Sequence, residues 1–203
     1  MNHIILSISL LLNCIIGIAQ PSKQPVQITS EIEIEPWLSH SFFDTTLWSY
    51  GNGILRLPDG TWRDNHDGIL TKEDTSQRIH TANIQMKGRE WNTIRFCDAK
   101  LVNDTLEIFI NDFTASTYDN LKIRVFENRF SSQYWTAYVW NYQQKEFQWT
   151  TIEQSLILNQ SELEFDKSIR GEIYFKCEER VLGESKTKPD TIELSGVFQA
   201  VIK

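Results

Sequence analysis

The sequence predicts an all-β fold, a single antiparallel β-sandwich or flattened barrel of about eight to ten strands. Three observations predict it. Apolar and polar residues alternate with period two along the second half of the chain. Proline is absent between Pro58 and Pro189, as suits ladders that need every backbone N–H. Helical i, i+3, i+4 spacing is nearly missing. At 203 residues the chain is long enough for one domain with one core, without a structural metal or many disulfides.

Residues 1–19 read as a secretory signal peptide. Ile4–Ile16 is apolar apart from Ser7, Ser9 and Asn13, and Gly17-Ile18-Ala19 ends it with small residues at −3 and −1. The run is too short and too interrupted to span a bilayer. Leu11-Leu12-Asn13-Cys14 offers a lipidation box as a second reading, with Asn13 a poor fit where a small residue is expected. The expected address is exported: periplasm, outer surface or extracellular. Residues 20–28, with Pro21 and Pro25, read as a flexible lead, and the domain as 29–203.

Within the domain, Ser30–Pro36 alternates Glu31, Glu33 and Glu35 with Ile32 and Ile34, a strand near an edge with one wet face. Ile54–Leu57 leads into the turn Pro58-Asp59-Gly60. Residues 62–85 read mostly as loop with short strands. Thereafter strands are expected at Ile94–Val102, Leu106–Phe113, Leu121–Phe126, Tyr134–Tyr142 and Phe147–Leu158. The punctuating turns are Asn103-Asp104, Asp119-Asn120, Ser131-Ser132, Gln143-Gln144 and Asn159-Gln160. Ile169–Val181 carries Ile173, Phe175 and Cys177 on one side and Glu172, Tyr174 and Lys176 on the other; Ile192–Ile202 pairs with it after a polar loop.

Composition narrows function. A formal net charge of −7 with no long basic run argues against nucleic acid as partner. Mature histidines are limited to His40, His66 and His80, and no nucleophile elbow, HExxH or glycine-rich phosphate loop is present. No metal or cofactor is expected. Reading Asp64–Gly68 as a calcium loop with Gly68 sixth puts the cation Arg63 at the first ligand position, so that segment reads as solvated loop. Glu162 and Glu164 read as a wet strand edge rather than a catalytic pair. Cys97 and Cys177 allow one disulfide in an exported chain; two buried thiols are the alternative.

The most distinctive feature is aromatic. Seven of the sixteen residues from Tyr134 to Trp149 are Phe, Trp or Tyr. A hairpin closing about Gln144-Lys145 would set Tyr142 opposite Phe147 and Trp140 opposite Trp149, with Tyr138 on the same face and Trp135 on the other. Trp135, Tyr138, Trp140, Tyr142 and Trp149 are therefore the candidate binding residues, as a platform for a glycan or a protein partner; the alternative is that they build core.

Two resemblances bear on class. The closing pair, Ile169-Arg170-Gly171-Glu172-Ile173-Tyr174-Phe175 and Ile192-Glu193-Leu194-Ser195-Gly196-Val197-Phe198, is similar to the ending of small exported β proteins of unknown function common in Bacteroidota. The resemblance covers about thirty residues and implies a β-sandwich with an exported address and no known activity. Gly60-Thr61-Trp62 resembles the G-x-W of lipocalin-like barrels, which would imply a carrier of a small ligand. The leading expectation is an exported non-catalytic β module that binds a glycan or a protein; a lipocalin-like carrier and a hydrolase are the alternatives.

Overall fold

In the computed structural model, the described residues are 28–47, 55–56, 62–63, 79–88, 92–113, 117–138, 146–183 and 188–203. The signal peptide, most of the lead, Pro58-Asp59-Gly60, Asp64–Gly68 and Gln143-Gln144 lie outside them. In chain order the strands are β1 (Ser30–Glu31), β2 (Glu33–Ile34), β3 (Leu55–Arg56), β4 (Trp62–Arg63), β5 (Ala82–Lys87), β6 (Asn92–Ile94), β7 (Phe96–Val102), β8 (Thr105–Phe113), β9 (Thr117–Phe126), β10 (Arg129–Tyr138), β11 (Phe147–Leu158), β12 (Ser168–Val181) and β13 (Asp190–Val201).

These strands form a sandwich. One sheet has the order β1-β10-β9-β8-β7, the other β2-β11-β12-β13-β5-β6, and β3 and β4 make a separate ribbon. Pairing is antiparallel except between β2 and β11. The two sheets stay separate and do not close into a barrel. Their eleven strands exceed the expected eight to ten because Ser30–Pro36 splits. Its first half pairs with β10 and its second with β11, on opposite sheets. Ile32, between the halves, packs against the core, while Glu31, Glu33 and Glu35 face solvent.

The interior follows from side-chain alternation. Leu106, Ile108 and Ile110 on β8, Leu121, Ile123 and Val125 on β9, and Phe130 and Tyr134 on β10 face Ile173, Phe175 and Cys177 on β12 and Ile192, Leu194 and Phe198 on β13. All are essentially buried, each large apolar side chain contributing about 1.5–3 kcal/mol on transfer from water.

Turn chemistry sets the registers. Asn103 and Asp104 both adopt positive φ, 47° and 61°, and join β7 to β8 as a two-residue hairpin loop, the geometry that matches strand twist. Asn159-Gln160 follows β11 as expected, but two other expected polar turns shift. Asp119-Asn120 lies inside β9 and Ser131-Ser132 inside β10; the β9–β10 turn falls at Glu127-Asn128. Neither polar pair breaks its strand: the Asp119 side chain and the Ser132 backbone both find side-chain partners, while the buried Ser132 hydroxyl has none among the described residues. Asp119 accepts from Tyr134 at 2.6 Å and from Thr136 at 3.1 Å. The Ser132 N–H donates to Gln154 at 3.0 Å.

The motif of the closing pair has a packing cause. Gly171 sits directly opposite Phe198, and a Cβ built on Gly171 would fall 2.3 Å from Phe198 Cζ. The ring lies over the glycine and fills the missing side chain's place. Gly196 takes φ 149° against the Asn83 carbonyl, 2.1 Å from where its Cβ would be. Gly171→Ala should therefore destabilise the domain by about 1–3 kcal/mol through overpacking, read as a lower urea midpoint with unchanged slope. An unchanged midpoint would show that the ring does not occupy that space.

Candidate functional site

The five aromatic candidates do not share one platform. β10 and β11 belong to different sheets, so the expected hairpin register is replaced: Trp135 lies opposite Asn120 on β9, and Trp149 opposite Glu179 on β12. Trp135 is half-buried on the outward side of β10. Trp149 packs against the core. Its ring meets Tyr134 edge-on at 6.3 Å and stacks on Phe147 at 6.0 Å. Its indole N–H donates to Glu179 at 2.7 Å. The Tyr138 backbone pairs with Thr117, while its side chain, with Trp140 and Tyr142, lies outside the described residues.

The disulfide is also corrected. Cys97 faces inward from β7 of the five-stranded sheet and Cys177 from β12 of the other; both are buried thiols. Each fills core space as a small apolar side chain. Burial, seconded by the charge of Asp98, pushes the Cys97 thiol well above its ordinary range.

A polar network runs through the same end of the interlayer. The Tyr134 hydroxyl bridges Asp119 and Thr136, the latter at 2.8 Å. Asp112, directly opposite Asp119, takes both Arg95 Nε at 2.6 Å and Arg95 Nη2 at 2.9 Å. Asp112, Asp119 and Glu179 each have dedicated donors, the arrangement by which buried carboxylates are stabilised. Among the described residues, no three His, Cys, Asp or Glu side chains are grouped to hold a metal ion.

The surface candidate lies on the other side of the molecule, over the outer face of the six-stranded sheet. After β2, Pro36 and Trp37 occupy the middle of a turn closed by the Leu38 N–H on Glu35 O at 2.9 Å; Pro at that position presets φ. A single 3₁₀ turn, Ser41–Asp44, follows, capped by His40 Nδ1, which accepts from the Phe42 N–H at 3.1 Å. Leu38, Phe42 and Phe43 bury themselves on Val197 and Ile157 as a second small core. Anchoring those three turns Trp37 outward: it is 87% exposed.

Around Trp37 the surface is concave. Trp37, Ser39, His40, Phe43, Asp44 and Arg170 line a shallow pocket of about 230 Å³. His40 meets Phe43 edge-on at 6.2 Å, and the Arg170 guanidinium sits 5.0 Å over the Phe43 ring. Among the described residues no acceptor takes that guanidinium, so its donors are available to a ligand. A second open pocket of about 450 Å³ shares Pro36 and is lined by Asn159, Gln160, Glu162, Glu164 and Lys167. Glu162 and Glu164 lie in the loop between β11 and β12, not on a strand as expected. Sequence reasoning passed over Trp37; the signal was a Trp placed directly after Pro36, outside every alternating run.

Comparison with known proteins finds no matching family model, no matching curated protein and no matching solved structure. No helix among the described residues is long and apolar enough to cross a membrane.

A thiol reagent should react with Cys97 and Cys177 only after denaturation, with no reductant required. A native-state reaction, or thiols that appear only after reduction, would contradict the buried pair.

Proposed function

We propose that the chain is an exported, non-catalytic binding module that holds a glycan on the Trp37 side of the six-stranded sheet. One observation carries the reading: Trp37 is an almost fully exposed indole fixed at a turn beside a pocket with polar walls. An exposed aromatic plane rimmed by polar groups marks a binding site. The C–H face of a sugar ring is apolar and suits stacking on an indole. Its hydroxyls suit the donors and acceptors of His40, Asp44, Arg170 and Ser39. The paired pocket beyond Pro36 gives room for more than one ring. The apolar leader Ile4–Ala19 supports an exported setting, where glycans are encountered.

The test is a glycan panel read by Trp fluorescence. At least one oligosaccharide should change the emission saturably, and Trp37→Ala should abolish the change while keeping stability within about 0.5 kcal/mol, as for other surface substitutions. Binding that survives Trp37→Ala, or a panel without effect, would remove this site; capture of a protein by the same surface would replace the glycan with a protein partner.

A further inference from the structure

The outward face of the five-stranded sheet concentrates positive charge in an acidic chain. Lys100 on β7, Glu107 on β8 and Arg124 on β9 lie in one cross-strand row. Glu107 is only 6% exposed although it points away from the core. Three cations cover it: Lys122 Nζ at 2.7 Å, Arg124 Nε at 3.1 Å and Lys100 Nζ at 3.5 Å. The Lys122 and Lys100 ammoniums also sit 4.9 and 5.1 Å from the centre of the Phe109 ring, which fixes both on one side of the carboxylate. The Lys122 hydrogen bond outweighs the opposing effect of burial and, with Arg124, holds the Glu107 carboxyl below its ordinary range. One negative charge thus meets three positive ones, which leaves a local surplus on a chain whose net charge is −7.

A groove opens beside this cluster. Arg124, Glu107, Thr105, Ser131, Val102 and Phe126 line about 420 Å³ of it, within the usual range for small-ligand sites of about 300–1,000 Å³. Arg124 is half-exposed there. Only its Nε is engaged, and among the described residues no acceptor takes its two terminal nitrogens. That end is the fork that fits a carboxylate or an oxyanion bidentately. Lys100 and Lys122 neutralise Glu107, so the charge of Arg124 is not cancelled by its neighbour. Thr105 and Ser131 supply hydroxyls, while Val102 and Phe126 supply apolar walls.

We propose that this groove binds a small anion, the carboxylate or sulfate group of a sugar-sized molecule, with the terminal nitrogens of Arg124 as its principal contact. The site lies on the opposite sheet from the Trp37 pocket and does not depend on the glycan reading. The experiment is an NMR titration at low ionic strength with sodium glucuronate, with inorganic sulfate, and with glucose as the neutral control. Glucuronate should give saturable shifts at Arg124, Thr105 and Ser131, and glucose none at these positions. Arg124→Gln should weaken binding about tenfold or more, the loss of a charge-assisted contact. Arg124→Lys, which keeps the charge beside Glu107 and so protects the fold, should fall between. Sulfate binding as tightly as glucuronate supports a site for the free ion, and tighter glucuronate supports a role for the apolar walls. Absence of saturable shifts with both anions overturns the proposal, as does equal affinity of wild type and both variants.

Discussion

Everything in this molecule depends on alternate side chains of two sheets meeting in one buried layer. Phe130 and Tyr134 from one sheet and Phe175 and Phe198 from the other are its largest buried members. Because side-chain direction alternates strictly along a strand, committing these residues inward also fixes what is left outside. Arg124 is outward because Ile123 and Val125 are inward, and Arg170 is outward because Ile169 is buried and Gly171 lies beneath Phe198. The candidate surfaces are by-products of the core register, and a one-residue slip would exchange them with it.

Polar groups hold the layers in register. Gln154 is buried, with its carbonyl oxygen taking the Ser132 N–H and its amide nitrogen donating to Ile28 O at 2.9 Å and Ser30 Oγ at 3.2 Å. One side chain from the six-stranded sheet thereby ties the edge of the five-stranded sheet and the entering chain together. The other edge is closed by the chain end: the Leu101 N–H donates to Lys203 O and the Lys203 N–H to Ala99 O, both at 3.0 Å. Such sealing protects edges that would otherwise template pairing with a second chain. The extra residue at the β11 bulge, between Thr151 and Glu153, bends β11 along the stretch that β2 does not cover.

The existence of strands was legible from residue 94 onward because period-two alternation is a local property, although β9 and β10 begin before their expected starts at Leu121 and Tyr134. β11 and β12 match their expected ranges within a residue, and the Asn103-Asp104 turn was readable because those residue types tolerate positive φ. What failed was non-local. Asp119 and Ser132 looked like turn formers because their partners, Tyr134 and Gln154, are distant in sequence. The run of aromatics from Tyr134 to Trp149 looked like a hairpin because alternation reports which face a residue takes, not which strand lies beside it. The chain instead passes from one sheet to the other between Tyr138 and Phe147, which separates Trp135 from Trp149. Spacing likewise carries no information on whether Cys97 and Cys177 meet. Trp37 was missed because its exposure follows from the burial of Leu38, Phe42 and Phe43 on a sheet built from the far end of the chain.

The sheet change after β10 is the decisive point of the architecture, and cross-strand Hα–Hα contacts in NMR spectra address it directly. Thr136 should contact Asp119, and Thr151 should contact Cys177, both pairs whose Hα atoms face each other. A continuous ladder placing Tyr138 opposite Thr151 would join β10 and β11 in one sheet and contradict the account.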